Sequence, residues 1–150
     1  MKRNENLVPL SRDHHFGLLC AWKIEQGIKK GVAIDRIVNY VNYFWDHHLQ
    51  RHFDIEDEFL PNTPNSNLQE KMEQEHQELK ELITSINSSP TSDLLLDFAK
   101  GLKSHIRFEE RVVFPEYEQI LSEGELDQIG QNLMEHHVRE QDNYEDEFWV

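Results

Sequence analysis

The chain has 150 residues, of which 29 are acidic and 15 basic, for a formal net charge of -14; nucleic-acid phosphates would repel it, which excludes DNA and RNA as partners. That length suits a single domain, 1-150, whose core buries roughly 70% of the surface exposed by the unfolded chain, and one cysteine, Cys20, excludes a disulfide framework and any cysteine-based metal site. With no basic-then-apolar leader pattern and no apolar run near the roughly 20 residues that cross a bilayer, a soluble cytoplasmic protein without a membrane partner is expected.

In chain order, Met1 to Leu10 reads as an irregular lead-in, and Ser11 is a good N-cap for a helix over about 11-30, ending near Gly31. His15, Leu18, Leu19 and Trp22 lie within about 60° of one another on that helix, which turns His15 inward. His14 sits about 100° away at the edge of the stripe and stands as the alternative. A second helix over about 33-60 is stopped by Pro61 and the polar segment that follows. Ile34, Val38, Val41, Trp45, His48, His52, Glu56 and Phe59 share one face of it, so polar side chains occupy the middle of an apolar stripe. His47 points elsewhere, toward solvent.

A third helix, about 68-87, carries the stripe Met72, His76, Leu79 and Ile83. The fourth, about 92-121, carries Leu94, Phe98, Gly101, Leu102, His105, Phe108, Glu109 and Val112, with Pro115 kinking or interrupting it. Ser122-Glu123-Gly124-Glu125 has the form of a capping box and opens an extra helix over about 123-139 with the stripe Leu126, Ile129, Leu133 and Met134. His136 and His137 stand at its edge. The aromatic and acidic closing segment from Tyr144 to Val150 is expected to pack its rings on the bundle. The reading is all-α: an up-and-down four-helix bundle with an additional C-terminal helix.

His52-x-x-x-Glu56 and His105-x-x-x-Glu109 stack an imidazole and a carboxylate on one helix face, one turn apart. The halves form a weak repeat, a single histidine followed by His-x-x-x-Glu. Short turns would bring His15, His52, Glu56, His76, His105 and Glu109 to one axis, with His48 one turn away. Two carboxylates in one core each cost several kcal/mol to bury ionised, and they repel each other. Arg51, Arg107 and Arg111 point off the axis; Lys80 is the one basic residue positioned to reach it. Two divalent cations would neutralise Glu56 and Glu109 and use every imidazole, and imidazole-plus-carboxylate surroundings with positions left open favour iron.

Glu75-His76, the run from His105 to Pro115, Asp13-His14-His15 and His52 to Pro61 together resemble the hemerythrin-like, or HHE cation-binding, domain over nearly the whole chain. The resemblance implies a non-haem di-iron centre, oxo- or hydroxo-bridged, with Glu56 and Glu109 spanning the irons. It further implies His15, His52, His76 and His105 as terminal ligands, His48 as the candidate fifth, and one position open for a small diatomic ligand. The oxygen-carrying hemerythrins have His-x-x-x-His on the third helix and His-x-x-x-x-Asp on the fourth. This chain has only His76 and ends the fourth motif in Glu109, which points away from simple oxygen storage. The function expected is binding or sensing of oxygen or nitric oxide, or iron handling. The alternatives are an oxidase or peroxidase-type enzyme and a metal-free helical interaction module. Ferritin-like sites use Glu-x-x-His on two helices, and only Glu73-x-x-His76 matches here.

Overall fold

A computed structural model describes residues 2-62, 64-138, 141 and 143-150. A short 3-10 turn, Glu5–Leu7, leads into α1 (Val8–Lys30); then come α2 (Ile34–Phe44), α3 (Gln50–Phe59), α4 (Ser66–Ser88), α5 (Ser92–Phe108), α6 (Phe114–Ile120) and α7 (Glu123–His136). Among the described residues there is no strand. Among the described residues no helix is long and apolar enough to cross a membrane.

Two of the joints are π-helical turns rather than breaks. Trp45–Leu49 joins α2 to α3, and Gln50 N–H bonds back five residues to the Trp45 carbonyl. Glu109–Val113 joins α5 to α6, with Phe114 N–H on the Glu109 carbonyl. The chain stays right-handed helical through both, so α2-α3 and α5-α6 are two continuous rods. Pro115 is absorbed at the start of α6, where its missing N–H matters little. With α1 and α4 these rods make the bundle, α1 lying against α5 and α2, and α4 against the same pair. Short connections at 31-33, 60-65 and 89-91 make consecutive rods antiparallel.

The helix ends are cut by local chemistry. Gly31 closes α1 at φ 70, a left-handed conformation that only glycine adopts without cost. Thr91 caps α5 through the Leu94 N–H, and Ser122 and Glu125 complete the reciprocal capping box of α7. α1 starts earlier than expected, at Val8 with Pro9 in its first turn, so Ser11 is not its cap. The Ser11 hydroxyl instead donates to Glu110 at 2.7 Å. α7 ends at His136, and Arg139, the expected end, lies outside the described residues.

The apolar core comes in two parts. One gathers Ile24, Ile37, Val41, Phe44, Phe53, Leu95, Phe98, Leu102 and Ile106, with Phe148 of the closing segment seated among them. The other gathers Leu7, Leu10, Ile55, Met72, Phe114 and Tyr117 with Leu126, Ile129 and Leu133 of α7. Between them lies a buried polar layer, and it holds the candidate site.

Candidate metal centre

Among the described residues the buried polar ones are Asp13, His14, Lys23, His52, Glu56, His76, His105 and Glu109. All but Asp13 and Lys23 fall into two overlapping groups, His14-His52-Glu56-Glu109 and Glu56-His76-His105-Glu109, in which the donor atoms lie within 4.8 Å of one another. α1 supplies His14, α3 His52 and Glu56, α4 His76, and α5 His105. Glu109 opens the π turn that follows α5. Each group is two imidazoles and the same two carboxylates.

Distances within the layer have the spacing of ligands around an ion. Glu56 Oε1 is 3.4 Å from Nε2 of His52 and 3.2 Å from Nε2 of His76. Glu109 Oε2 is 3.2 Å from Nε2 of His105 and 3.5 Å from that of His76, and its Oε1 is 3.8 Å from that of His52. Ligands about 2.1 Å from a common cation sit about 3.0 Å apart at octahedral angles and about 3.4 Å apart at tetrahedral ones. Nε2 of His52, His76 and His105, both oxygens of Glu56 and Oε2 of Glu109 are buried and make no hydrogen bond. Leaving that many polar atoms unmet is costly, and one cation in each group would satisfy them. His14 Nε2 sits 2.8 Å from Glu109 Oε1, the one close contact in the set.

A ring of carboxylates holds the imidazoles in place, each lent by one rod to the next. Asp13 on α1 accepts from Nδ1 of His52 on α3 at 2.8 Å. Asp57 on α3 stands 3.7 Å from Nδ1 of His76 on α4. Glu75 on α4 accepts from Nδ1 of His105 on α5 at 2.8 Å. Glu110 beyond α5 accepts from Nδ1 of His14 on α1 at 2.8 Å, closing the circle. Carboxylates only accept, so Nδ1 of His14, His52 and His105 carries a proton, and loss of the second proton from Nε2 would leave its lone pair facing the centre, the tautomer a metal ligand needs. Every member of this ring adjoins a ligand in sequence: Asp13-His14, Glu56-Asp57, Glu75-His76 and Glu109-Glu110. That adjacency is the signal sequence reasoning passed over.

Electrostatics bear the same mark. Burial opposes ionisation of Glu109, yet His105, His14 and His52 outweigh it and hold its carboxyl well below the usual range. Burial likewise lowers His76 and His105, but the facing carboxylates, led by Asp57 for one and Glu109 for the other, carry them up to about 11 and about 9. Without a cation, protons on imidazoles balance the two glutamates, so metal binding at this layer exchanges protons for metal. Among the described residues no lysine or arginine pairs with Glu56 or Glu109, and Lys80 stays half-buried outside both groups.

Two expected members are not brought to the layer. His15 is exposed and outside both groups, and His14 stands in the place expected for it. The face of α1 that packs is Leu10, His14, Gly17, Cys20, Ala21, Ile24 and Gly27. Large side chains drew the expectation to the opposite side, where Leu18 is 39% and Trp22 48% exposed. Small residues win because they let α1 approach closely: a Cβ on Gly17 would come within 2.6 Å of Ile106 Cδ1. His48 also lies outside both groups, half-buried against the rings of Tyr43 and Phe44. The extra residue of the Trp45–Leu49 π turn rotates it off the face of His52.

Fold and site define an all-helical bundle whose buried His/Glu groups suit a pair of metal ions. The chain belongs to the hemerythrin HHE cation-binding domain family, whose sequence model, Hemerythrin HHE cation binding domain, matches residues 14–117 and again 67–145. Neither the curated proteins nor the solved structures compared with the chain give a match.

Proposed function

We propose that the protein holds two iron ions in this layer and binds a small diatomic ligand, oxygen or nitric oxide, beside them. The observation that carries the reading is the shared pair Glu56 and Glu109 with two braced imidazoles on either side. His14 and His52 would hold one ion, His76 and His105 the other. Four protein donors per ion leave positions open, and mixed imidazole and carboxylate donors favour iron over a closed tetrahedral zinc site. Iron bound there would supply reversible electron transfer to the diatomic.

The chain's own part is to shape and dry the place. Phe114 stacks on His14 with ring centroids 5.4 Å apart, and Phe53 on His76 at 3.9 Å. A cavity of about 10 Å³ is bounded by His14, His52 and His105 together with Gly17, His48, Leu49 and Ile106. That is about the space one water-sized molecule needs, so the room beside these imidazoles suits only a small ligand. Burial pushes the Tyr117 hydroxyl up, with Glu56 and Glu109 adding to the effect. It therefore stays neutral and donates to the Pro61 carbonyl at 2.7 Å.

A second reading, iron handling, is favoured by the looseness of one brace. Asp57 is 52% exposed and 3.7 Å from His76, whereas the other three braces are at 2.8 Å. An ion at His76 and His105 would exchange faster than its neighbour. Metal analysis of untagged protein after anaerobic iron reconstitution, with spectra under air, reductant and nitric oxide, tests both. Two irons per chain and a spectrum that responds saturably to nitric oxide are expected. Less than one iron per chain would end the proposal, and catalytic consumption of hydrogen peroxide would make the protein an enzyme instead.

A further inference from the structure

α7 stands outside the four rods, yet it is tied to the centre. His136 stacks on Phe59 at the end of α3, ring centroids 4.9 Å apart. At His137 the chain leaves the helix in an extended conformation, φ -77 and ψ 132. The His137 side chain reaches α1, its Nε2 at 2.9 Å from both oxygens of Asp13. The same Asp13 accepts from Nδ1 of His52. Asp13 is 8% exposed, and His137 covers it at the edge of a cleft of about 380 Å³ between α1 and α7, lined also by Arg12, Phe16 and Met134.

A carboxylate held by one donor can swing about its last torsion, whereas one gripped from two directions cannot. We propose that His137 is a positioning residue for one half of the metal pair. It fixes Asp13, and through Asp13 the C-terminal helix sets the orientation and donor strength of His52 without touching the metal. The inference rests on the two-metal reading above, and it assigns α7 a part in metal affinity that the four rods alone do not contain. Losing a group bonded directly to a ligand, as Asp13 is, typically costs about 10- to 100-fold in affinity, and losing His137, one hydrogen bond farther out, should cost up to about 10-fold. The loss should fall on the position held by His14 and His52, since His76 and His105 are braced by Asp57 and Glu75.

Anaerobic Co²⁺ titration of the metal-depleted full chain, followed by visible ligand-field bands and by the paramagnetically shifted imidazole N–H resonances, reads the two positions separately. Wild type should take two ions; if it takes none, the two-metal reading itself fails before any variant is compared. His137→Ala and the bulk-preserving His137→Phe should weaken one position by about 3- to 10-fold, shift the His52 N–H resonance and leave the other position within about twofold. His137→Gln, which keeps a donor, should recover most of the affinity. Adding His137→Ala to Asp13→Asn should cost nothing further. Unchanged affinities and resonances in a folded His137→Phe variant would overturn the proposal, as would equal weakening of both positions. If His137→Ala does not fold, the Phe and Gln variants decide.

Discussion

His14 and His15 are neighbours in sequence and opposites in the fold, one 4% exposed against Glu109 and Glu110, the other on the outer face. His14→Ala should therefore remove the ion held with His52, while His15→Ala should leave the metal content at the wild-type value; the reverse result in a metal analysis would return the ligand role to His15. Glu109 faces all four imidazoles from a fully buried position. Glu109→Ala should lower the content to one iron or less per chain, and retention of two would contradict its shared role. Single histidines and the His-x-x-x-Glu pairs were legible in the sequence because they are chemically conspicuous. The bracing carboxylates Asp13, Asp57, Glu75 and Glu110 were not, because each adjoins one ligand in sequence but braces a different one on the next rod.

Helix count, the loops between helices and the capping box of α7 could be read from local chemistry. The register within helices could not be carried past a π turn. Counting back from His52 at about 100° per residue chose Ile34, Val38, Val41 and Trp45; of these the fold buries only Val41, and it buries Ile37 and Phe44 beside it. One added residue at Trp45–Leu49 turns everything before it by about a quarter of a circle. Downstream of His105 the turn at Glu109–Val113 has the same effect, burying Val113 and leaving Val112 41% exposed. Such turns form where the site demands a rotation that regular winding would not give, and no local residue preference announces them. On α1 the stripe of small residues outranks the stripe of large ones. Gly17→Val should thus destabilise the fold by about 1–3 kcal/mol through crowding of Ile106. Trp22→Gln should stay within about 0.5 kcal/mol. Denaturant midpoints of the two variants check this, and a larger loss for Trp22→Gln would contradict the assignment of the packed face.

Across the whole molecule, two apolar clusters enclose a charged layer that they cannot themselves satisfy. In the metal-free protein His76 and His105 keep their protons up to about 11 and about 9, against an ordinary value of 6.5. Their contribution to stability is complete below pH 6.5 and is lost as the pH climbs through about 9 and then about 11. The melting temperature of metal-free protein should fall across that window, and that of metal-loaded protein should fall less, because cations then balance the glutamates. A flat metal-free profile between pH 6.5 and 9 would show that the imidazoles do not neutralise the layer. At any pH in this range a ligand that binds only the folded state raises stability by mass action, so chelation should lower the melting temperature.

The central claim is that cations hold this layer together, one on each side of Glu56 and Glu109. Anomalous diffraction from crystals of iron-loaded protein, measured on either side of the iron absorption edge, tests it most directly. Two peaks are expected, one flanked by His14 and His52, the other by His76 and His105, with both glutamates between them. A single peak, or peaks away from these side chains, would contradict the account.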